Sequence, residues 1–183
     1  MKKKILEIIT GGSGSGKSEY AEDTAMTLKK KLNADNLVYI ATMKPFGNDA
    51  EERIKRHRKL RQGKGFITVE RYTDIGGTEV PKNSVVLLEC MSNLVANEMF
   101  GGGASCNEIV NGVYTLLSKC EALVIVTNEV FSDGCLYDEV TLEYIKMLAE
   151  INKALAETAD RMTEVIFGIP DDITKYRRCG GLK

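Results

Sequence analysis

The sequence predicts an α/β fold in which helices flank a mostly parallel central sheet. Short apolar runs alternate with longer amphipathic stretches along the chain, as strands alternate with helices in such folds. Apart from their terminal Ser, Glu and Thr residues, the runs at Ser84–Glu89 and at residues 122–127 are continuously apolar, as strands buried on both faces are. The 183 residues contain neither an internal repeat nor a linker, so we expect a single domain over residues 1–183.

The first half of the chain supplies three predicted strands and two predicted helices. Ile5–Thr10 is a short apolar run, and the helical stretch Lys17–Leu32 follows it. Residues 37–41 predict the second strand, and residues 67–72 alternate in polarity like a third. Between them, the charged residues 49–63 predict a basic helix that ends at a glycine.

The second half continues the same alternation. Three further strands are expected at Ser84–Glu89, 122–127 and 162–167, and the last of these is expected to be the final strand of the chain. Helices are expected at residues 91–100 and 107–118, on either side of three consecutive glycines, and at residues 137–159.

Composition excludes several classes of protein. The 25 Lys and Arg residues nearly balance the 26 Asp and Glu residues, which argues against a generally basic nucleic-acid-binding protein. Five widely spaced cysteines without a C-x-x-C pair form neither a disulfide framework nor a zinc site, so we expect a cytoplasmic protein. The single histidine excludes a metal site built from several histidines, and no apolar run is long enough for a membrane span.

Polar residues gather where parallel strands end. In open α/β sheets, ligands bind at the carboxyl ends of the strands. Those ends carry residues 11–18, residues 42–44, Glu89 and the pair Asn128 and Glu129. For Asn128 and Glu129 the sequence leaves two interpretations open, site lining and turn formation.

Residues 11–18 match the phosphate-loop pattern G-x-x-x-x-G-K-[ST] in full, directly after a strand and at the start of a helix. Glycines let backbone N–H groups approach phosphate oxygens, and the helix N-terminus adds a partial positive charge. The lysine reaches the β- and γ-phosphates, and the final hydroxyl can bind Mg²⁺. We therefore expect nucleoside triphosphate binding by Gly11, Gly12, Ser13, Gly14, Ser15, Gly16, Lys17 and Ser18.

Two acidic residues are candidate partners of this loop. Glu89 ends a buried strand, where an acidic residue polarises Mg²⁺ or its waters, although it could instead cap the next helix. Asp74 and Gly77 match the short pattern D-x-x-G, but no N-K-x-D segment follows. The sequence therefore favours Glu89 as a metal-side group and disfavours a GTPase switch.

The only histidine, His57, lies in a strongly basic segment. Seven of the thirteen residues from 52 to 64 are Lys or Arg. On a helix, Ile54 and Leu60 would dock the segment and leave His57 among guanidinium groups. Arginines can neutralise phosphate oxygens while a neutral imidazole attacks phosphorus. The alternative interpretation is an ordinary solvated helix face.

The chain resembles the bifunctional adenosylcobinamide kinase / adenosylcobinamide-phosphate guanylyltransferase family over nearly its whole length. The resemblance is carried by GGSGSGKS, YIAT at residues 39–42, R-I-x-x-H ending at His57, LLEC at residues 87–90 and VTNEV at residues 126–130. It implies a RecA-like P-loop fold, a trimer and a guanylylated His57. It also implies nucleotide contacts at Ile40, Ala41, Thr42, Arg58, Lys59, Leu60, Arg61, Glu70 and Glu89.

The resemblance implies a two-step activity that needs Mg²⁺, ATP or GTP, and a cobinamide-type corrinoid. An NTP phosphorylates adenosylcobinamide, and GMP then passes from GTP through His57 to adenosylcobinamide phosphate. The chain departs from the family at Gly14, where an arginine is common, and after Val130, where an arginine-rich segment is missing. Two alternatives are a single-activity P-loop kinase of small molecules and a non-catalytic nucleotide-binding regulatory module.

Overall fold

A computed structural model describes residues 3–45, 48–131 and 134–177. Within these ranges, seven strands form one sheet. They are β1 (Ile5–Thr10), β2 (Asn36–Ala41), β3 (Ile67–Glu70), β4 (Ser84–Glu89), β5 (Ala122–Val126), β6 (Arg161–Ile166) and β7 (Ile169–Asp172). The order across the sheet is β3-β2-β4-β5-β1-β6-β7, and each neighbouring pair is parallel except β6 and β7.

Helices cover both faces of this sheet. They are α1 (Lys17–Leu32), α2 (Asn48–Arg61), α3 (Met91–Asn97), α4 (Cys106–Lys119), α5 (Glu139–Thr158) and α6 (Thr174–Arg177). One face packs against α1 through Ala21, Ala25 and Leu28. The other face packs against α3, α4 and α5, whose buried residues include Leu94 and Leu148. The result is three layers with a separate apolar core on each side of the sheet.

The sheet places the candidate residues together at the carboxyl ends of its parallel strands. Since β1, β2, β4 and β5 are parallel, their carboxyl ends lie together. The last residue of β4, Glu89, is in register with Ala41 of β2 and with Val126 of β5. β5 separates the strand before the phosphate loop from the strand that ends at Glu89.

The strand predicted at residues 162–167 is confirmed as β6, but the prediction that it is the final strand is wrong, because β7 follows in antiparallel pairing with it. A two-residue turn of Phe167 and Gly168, with φ angles of 50° and 79°, joins the two strands. Residues with positive φ angles suit the tight hairpin turns that match strand twist. The sequence of β7, IPDD, hides the strand because proline and aspartate are rare in strands outside sheet edges.

Several helix boundaries also differ from the prediction, and two of these differences have a clear structural basis. The helix expected at residues 91–100 ends at Asn97 and continues as a π turn over Glu98–Gly102. The helix expected from residue 137 begins at Glu139, because Asp138 caps it by accepting a hydrogen bond from Thr141 N. No helix of the described ranges is long and apolar enough to cross a membrane.

Candidate active site

The phosphate loop closes on itself between β1 and α1. Lys17 Nζ donates a hydrogen bond to Gly12 O at 2.9 Å, and Ser15 N donates to the same oxygen at 3.2 Å. From outside the loop, Gly168 N donates to Ser15 O at 2.8 Å. The hairpin between β6 and β7 therefore supports the loop from behind, a contact that could not be foreseen without β7.

Gly11 is the loop glycine that the structure constrains most. A Cβ atom at Gly11 would lie 2.5 Å from Val165 O and 2.7 Å from Ser15 Oγ, and its φ angle is 152°. We expect Gly11→Ala to lower the free energy of unfolding by about 1–3 kcal/mol, because backbone must move to relieve the overlap. Urea denaturation measures this loss.

Gly12→Ala is the matched control, since no atom lies within 4 Å of the Cβ position at Gly12. The free energy of unfolding of this variant should lie within about 0.5 kcal/mol of that of the unsubstituted protein. Equal stability of the two variants would contradict the close packing of Gly11 against β6.

Glu89 and Ser18 meet at the start of α1, as the strand-end rule predicts. Ser18 Oγ donates a hydrogen bond to Glu89 Oε1 at 2.8 Å. The second carboxylate oxygen, Glu89 Oε2, is buried and has no hydrogen-bond partner. A buried oxygen left in this state calls for a ligand, because an unsatisfied buried acceptor costs about 1–3 kcal/mol.

Burial is the largest cause of the pKa shifts of Glu89 and Lys17. Burial raises the pKa of Glu89 to about 7, against the opposite effects of the Ser18 hydroxyl and the Lys17 ammonium. Burial also lowers the pKa of Lys17, and the neighbouring Glu89 partly offsets that effect. Each charge therefore favours the charged form of the other, which suits a site that binds a metal and phosphate.

A cavity of about 280 Å³ lies over the phosphate loop. Residues 13–19 form its floor, and Asn128 lines it at the end of β5. Its remaining walls include Met43, Arg56, His57, Leu60, Glu89, Cys90 and Asn93. Of the two interpretations left open for Asn128, the structure favours site lining. Its neighbour Glu129 instead accepts a hydrogen bond from Phe131 N, which is a turn contact.

A second cavity, of about 300 Å³, lies beside the first at the ends of β2 and β3. Its lining includes Ala41, His57, Arg58, Arg61, Glu70, Tyr72 and Glu89. Glu70 is held in place by Arg58 Nη2 at 3.4 Å and by the Tyr72 hydroxyl at 2.9 Å. The cavity thus presents the carboxylates of Glu51, Glu70 and Glu89, two guanidinium groups and the phenols of Tyr39 and Tyr72 around an otherwise largely apolar space.

Helix α2 contributes residues to both cavities. Arg56 and Leu60 line only the loop cavity, whereas Arg58 and Arg61 line only the second cavity of the two. His57 lines both. Residues three or four positions apart share a helix face, so these two sets occupy adjacent faces with His57 at their boundary. The imidazole therefore borders both the phosphate-loop cavity and the second cavity.

Three residues for which the resemblance implies nucleotide contacts have side chains that line neither cavity. The side chain of Ile40 is in the apolar core and lines neither cavity. Thr42 is buried, where its hydroxyl donates to Cys90 O at 2.8 Å and accepts from Cys90 N. Lys59 is exposed and lines neither cavity. Any contact of Ile40 with a nucleotide would have to come from its backbone.

The structure adds residues that sequence reasoning missed. Arg56 and Asn93 both line the loop cavity, and Asn93 Nδ2 also donates to Cys90 Sγ at 3.2 Å. Arg56 could have been identified because it lies four residues before Leu60 and so shares its face of the helix. Asn93 could have been identified because it lies in the first turn of α3, just beyond the carboxyl end of β4. The D-x-x-G match is a structural turn in which Asp74 accepts from Gly77 N.

Comparison with known proteins identifies a family. The family model described as cobinamide kinase / cobinamide phosphate guanyltransferase matches residues 7–173. A bifunctional adenosylcobalamin biosynthesis protein, CobU, of Escherichia coli is 27% identical and covers 90% of this chain and 97% of its own. The CobU protein of Salmonella typhimurium is 28% identical with the same coverage. The resemblance seen in the sequence motifs is thereby confirmed.

A solved structure supports the fold. The flagellar accessory protein FlaH of Methanocaldococcus jannaschii superposes with a TM-score of 0.50 at 14% sequence identity. The match covers 92% of this chain and 75% of that protein. Together with the seven-stranded sheet of the described ranges and the helices on both of its faces, this confirms the predicted three-layer RecA-like fold.

Proposed function

The chain belongs to the cobinamide kinase / cobinamide phosphate guanyltransferase family, and on that premise we propose that it performs both reactions. It phosphorylates adenosylcobinamide with a nucleoside triphosphate. It then transfers GMP from GTP, through a guanylylated His57, to adenosylcobinamide phosphate, which gives adenosylcobinamide-GDP. The observation that carries the proposal is the position of His57 on the boundary between the loop cavity and the second cavity.

In the kinase reaction, the phosphate loop binds and orients the triphosphate. The loop amides and the N-terminus of α1 bind phosphate oxygens, and Lys17 leaves its contact with Gly12 O to reach the β- and γ-phosphates. The γ-phosphoryl group passes to a hydroxyl of adenosylcobinamide, and the nucleoside diphosphate leaves. Arg56 and Asn93, on the walls of the same cavity, are positioned to stabilise charge on the transferred group.

The residues around Ser18 fit a magnesium ion. Ser18 Oγ and Glu89 would hold it, and the unpartnered Glu89 Oε2 is the observation that supports this assignment. Within the described residues, no group of three or more His, Cys, Asp and Glu side chains could hold a metal ion. This fits an ion shared with substrate phosphates. When bound, Mg²⁺ neutralises charge on the phosphates.

In the transferase reaction, the neutral imidazole of His57 attacks the α-phosphorus of GTP. A phosphorus–nitrogen bond forms, the bond to the bridging oxygen breaks, and pyrophosphate leaves from the loop cavity. The phosphate of adenosylcobinamide phosphate then attacks the phosphoramidate and releases His57. The covalent intermediate divides one difficult displacement into two easier ones.

The second cavity suits the nucleoside part of GTP in this arrangement. A triphosphate on the loop with its α-phosphorus at His57 directs the nucleoside across α2 toward Ala41, Arg58, Arg61 and Glu70. The Glu70 carboxylate offers acceptors for the N–H groups of a guanine edge. The family resemblance assigns nucleotide contacts to the same residues. The proposal also includes the single-domain organisation and the cytoplasmic location that the sequence predicts, and the trimeric assembly that the resemblance implies.

Product analysis tests the proposal against its alternatives. The protein is incubated with Mg²⁺, adenosylcobinamide and either ATP alone or ATP with GTP, and the corrinoids are separated. We expect adenosylcobinamide phosphate with ATP alone and adenosylcobinamide-GDP when GTP is added. Phosphorylation without further conversion would replace the proposal by the single-activity kinase. Nucleotide binding without any corrinoid product would replace it by the regulatory module.

A further inference from the structure

We propose that the ion pair between Glu22 and Lys64 positions His57 against the phosphate loop, so that both residues control guanylyl transfer without contacting substrate. The inference rests on the proposed role of His57 as nucleophile. It assigns a function to a buried charge in the molecule that the two reactions above leave unused.

The ion pair joins α1, which follows the phosphate loop, to the segment that follows α2, which carries His57. Lys64 Nζ donates a hydrogen bond to Glu22 Oε2 at 2.8 Å, and Asp23 lies 3.7 Å from the same ammonium group. The Glu22 side chain is completely buried, whereas that of Lys64 is 22% exposed. Lys64 is therefore the partner that enters from the surface to neutralise a carboxylate inside the protein.

Glu22 contradicts the pattern of its own helix. The other buried positions along α1 beyond the loop are apolar, at Ala21, Ala25 and Leu28. Burial raises the pKa of Glu22, and the hydrogen bond from Lys64 opposes that shift. Its second oxygen, Oε1, is buried without a hydrogen-bond partner. A well-packed apolar residue would be at least as stable at such a position, so stability alone does not explain the charge.

Both ends of the ion pair lie close to catalytic elements along the chain. Glu22 lies one helical turn beyond Ser18, whose hydroxyl donates to Glu89. Lys64 lies in the turn that ends α2, where its backbone N donates to Arg61 O at 3.1 Å. Gly63 and Gly65, with φ angles of 79° and 78°, make this turn tight. Only short segments of chain therefore connect the ion pair to the phosphate loop and to α2.

A second contact fixes the rotation of α2. The guanidinium carbon of Arg61 lies 3.6 Å from the centre of the Tyr39 ring, and Phe66 meets the same ring edge-to-face. Arg61 follows His57 by four residues, so the two side chains share a face of the helix. The stacked arginine thus sets which face points to the sheet edge, and the ion pair sets the distance between α2 and α1.

The test compares Lys64→Met and Glu22→Gln with a matched ion pair elsewhere. Lys4 and Glu121 form a half-buried ion pair at 2.9 Å where β1 and β5 begin, at the opposite edge of the sheet. Lys4→Met is the control for a general loss of stability. Lys64→Arg is the conservative variant that keeps the charge. Two readouts are taken: the single-turnover rate of protein labelling by saturating GTP labelled at the α-phosphorus, and the NMR signal of the His57 ring.

We expect Lys64→Met and Glu22→Gln each to slow labelling by about 10²-fold, the loss that a misplacement of about 1 Å produces. The double variant should lose no more than either single variant, since one interaction is removed in all three. Both substitutions should shift the His57 signal, which is unambiguous because the chain has one histidine. Lys64→Arg should keep the labelling rate and the His57 signal of the unsubstituted protein, and Lys4→Met should change neither of them.

The outcomes separate this inference from the proposed function. Labelling and a His57 signal that both survive Lys64→Met and Glu22→Gln would overturn the positioning role and leave the nucleophile intact. Equal losses in Lys4→Met would also overturn it, because the effect would then follow stability alone. If the unsubstituted protein takes no label, the proposed nucleophile fails. A His57 signal that shifts only in the Glu22 and Lys64 variants would still establish the structural coupling.

Discussion

A protein with His57 replaced by alanine is expected to lose guanylyl transfer and to retain the kinase reaction. Without the imidazole no phosphoramidate can form, so transfer to adenosylcobinamide phosphate should fall by at least about 10³-fold. The phosphate loop, Ser18 and Glu89 are unchanged, because His57 lies on α2 and only borders their cavity. Separation of corrinoid products in the presence of ATP and GTP should therefore show adenosylcobinamide phosphate accumulating.

Glu52→Ala serves as the control for this variant, since Glu52 is an exposed residue on the same helix and lines neither cavity. It should convert the corrinoid completely. A His57→Ala protein that still made adenosylcobinamide-GDP at an unchanged rate would remove the histidine from the mechanism.

Replacement of Lys17 by alanine is expected to impair both reactions. Lys17 is the cation of the phosphate loop, and its Nζ lies over the loop at Gly12 O. Its loss removes stabilisation of the β- and γ-phosphates, which carry charge both in phosphoryl transfer and in the release of pyrophosphate. We expect kcat/KM to fall by about 10²–10³-fold in each half-reaction, measured with the two corrinoid substrates separately.

Lys30→Ala is the matched control, because Lys30 is an exposed lysine on the same helix. Its rates should equal those of the unsubstituted protein. A Lys17→Ala protein that lost the kinase reaction and kept guanylyl transfer would show that the two reactions do not share one phosphate site.

Sequence predicted those parts of the fold whose environment is uniform. The strand Ser84–Glu89 was predicted with its observed bounds, because each of its first five residues is buried and apolarity alone marks it. β7 was missed, because an edge strand of sequence IPDD is held by its pairing with β6 rather than by its own propensity. Local composition cannot reveal a strand that only a neighbouring strand stabilises.

The same contrast holds for the candidate site. The loop residues and Glu89 follow from the rule that parallel strands end at one edge of the sheet, so the contact between Ser18 and Glu89 was within reach of the sequence. For α2 the sequence predicts docking through Ile54 and Leu60, but Ile54 lines the second cavity and Leu60 lines the loop cavity, and tertiary contacts decide the orientation of the helix. Stacking of Arg61 on Tyr39 and pairing of Lys64 with Glu22 fix that helix.

The burial of Glu22 is the observation that points to those contacts. Glu22 is buried beside the apolar residues Ala21 and Ala25 of α1. A charge at such a position requires a partner of opposite sign from elsewhere in the fold. The basic segment of residues 52–64 contains seven such partners, and Lys64 lies at its end.

Labelling with two forms of GTP tests the central claim most directly. The protein is incubated with Mg²⁺ and GTP carrying radioactive phosphorus at either the α- or the γ-position, then denatured and digested. We predict that only the α-label stays on the protein, that acid removes it while alkali does not, and that it resides on the peptide containing His57. The absence of α-label from that peptide would contradict the guanylylated histidine.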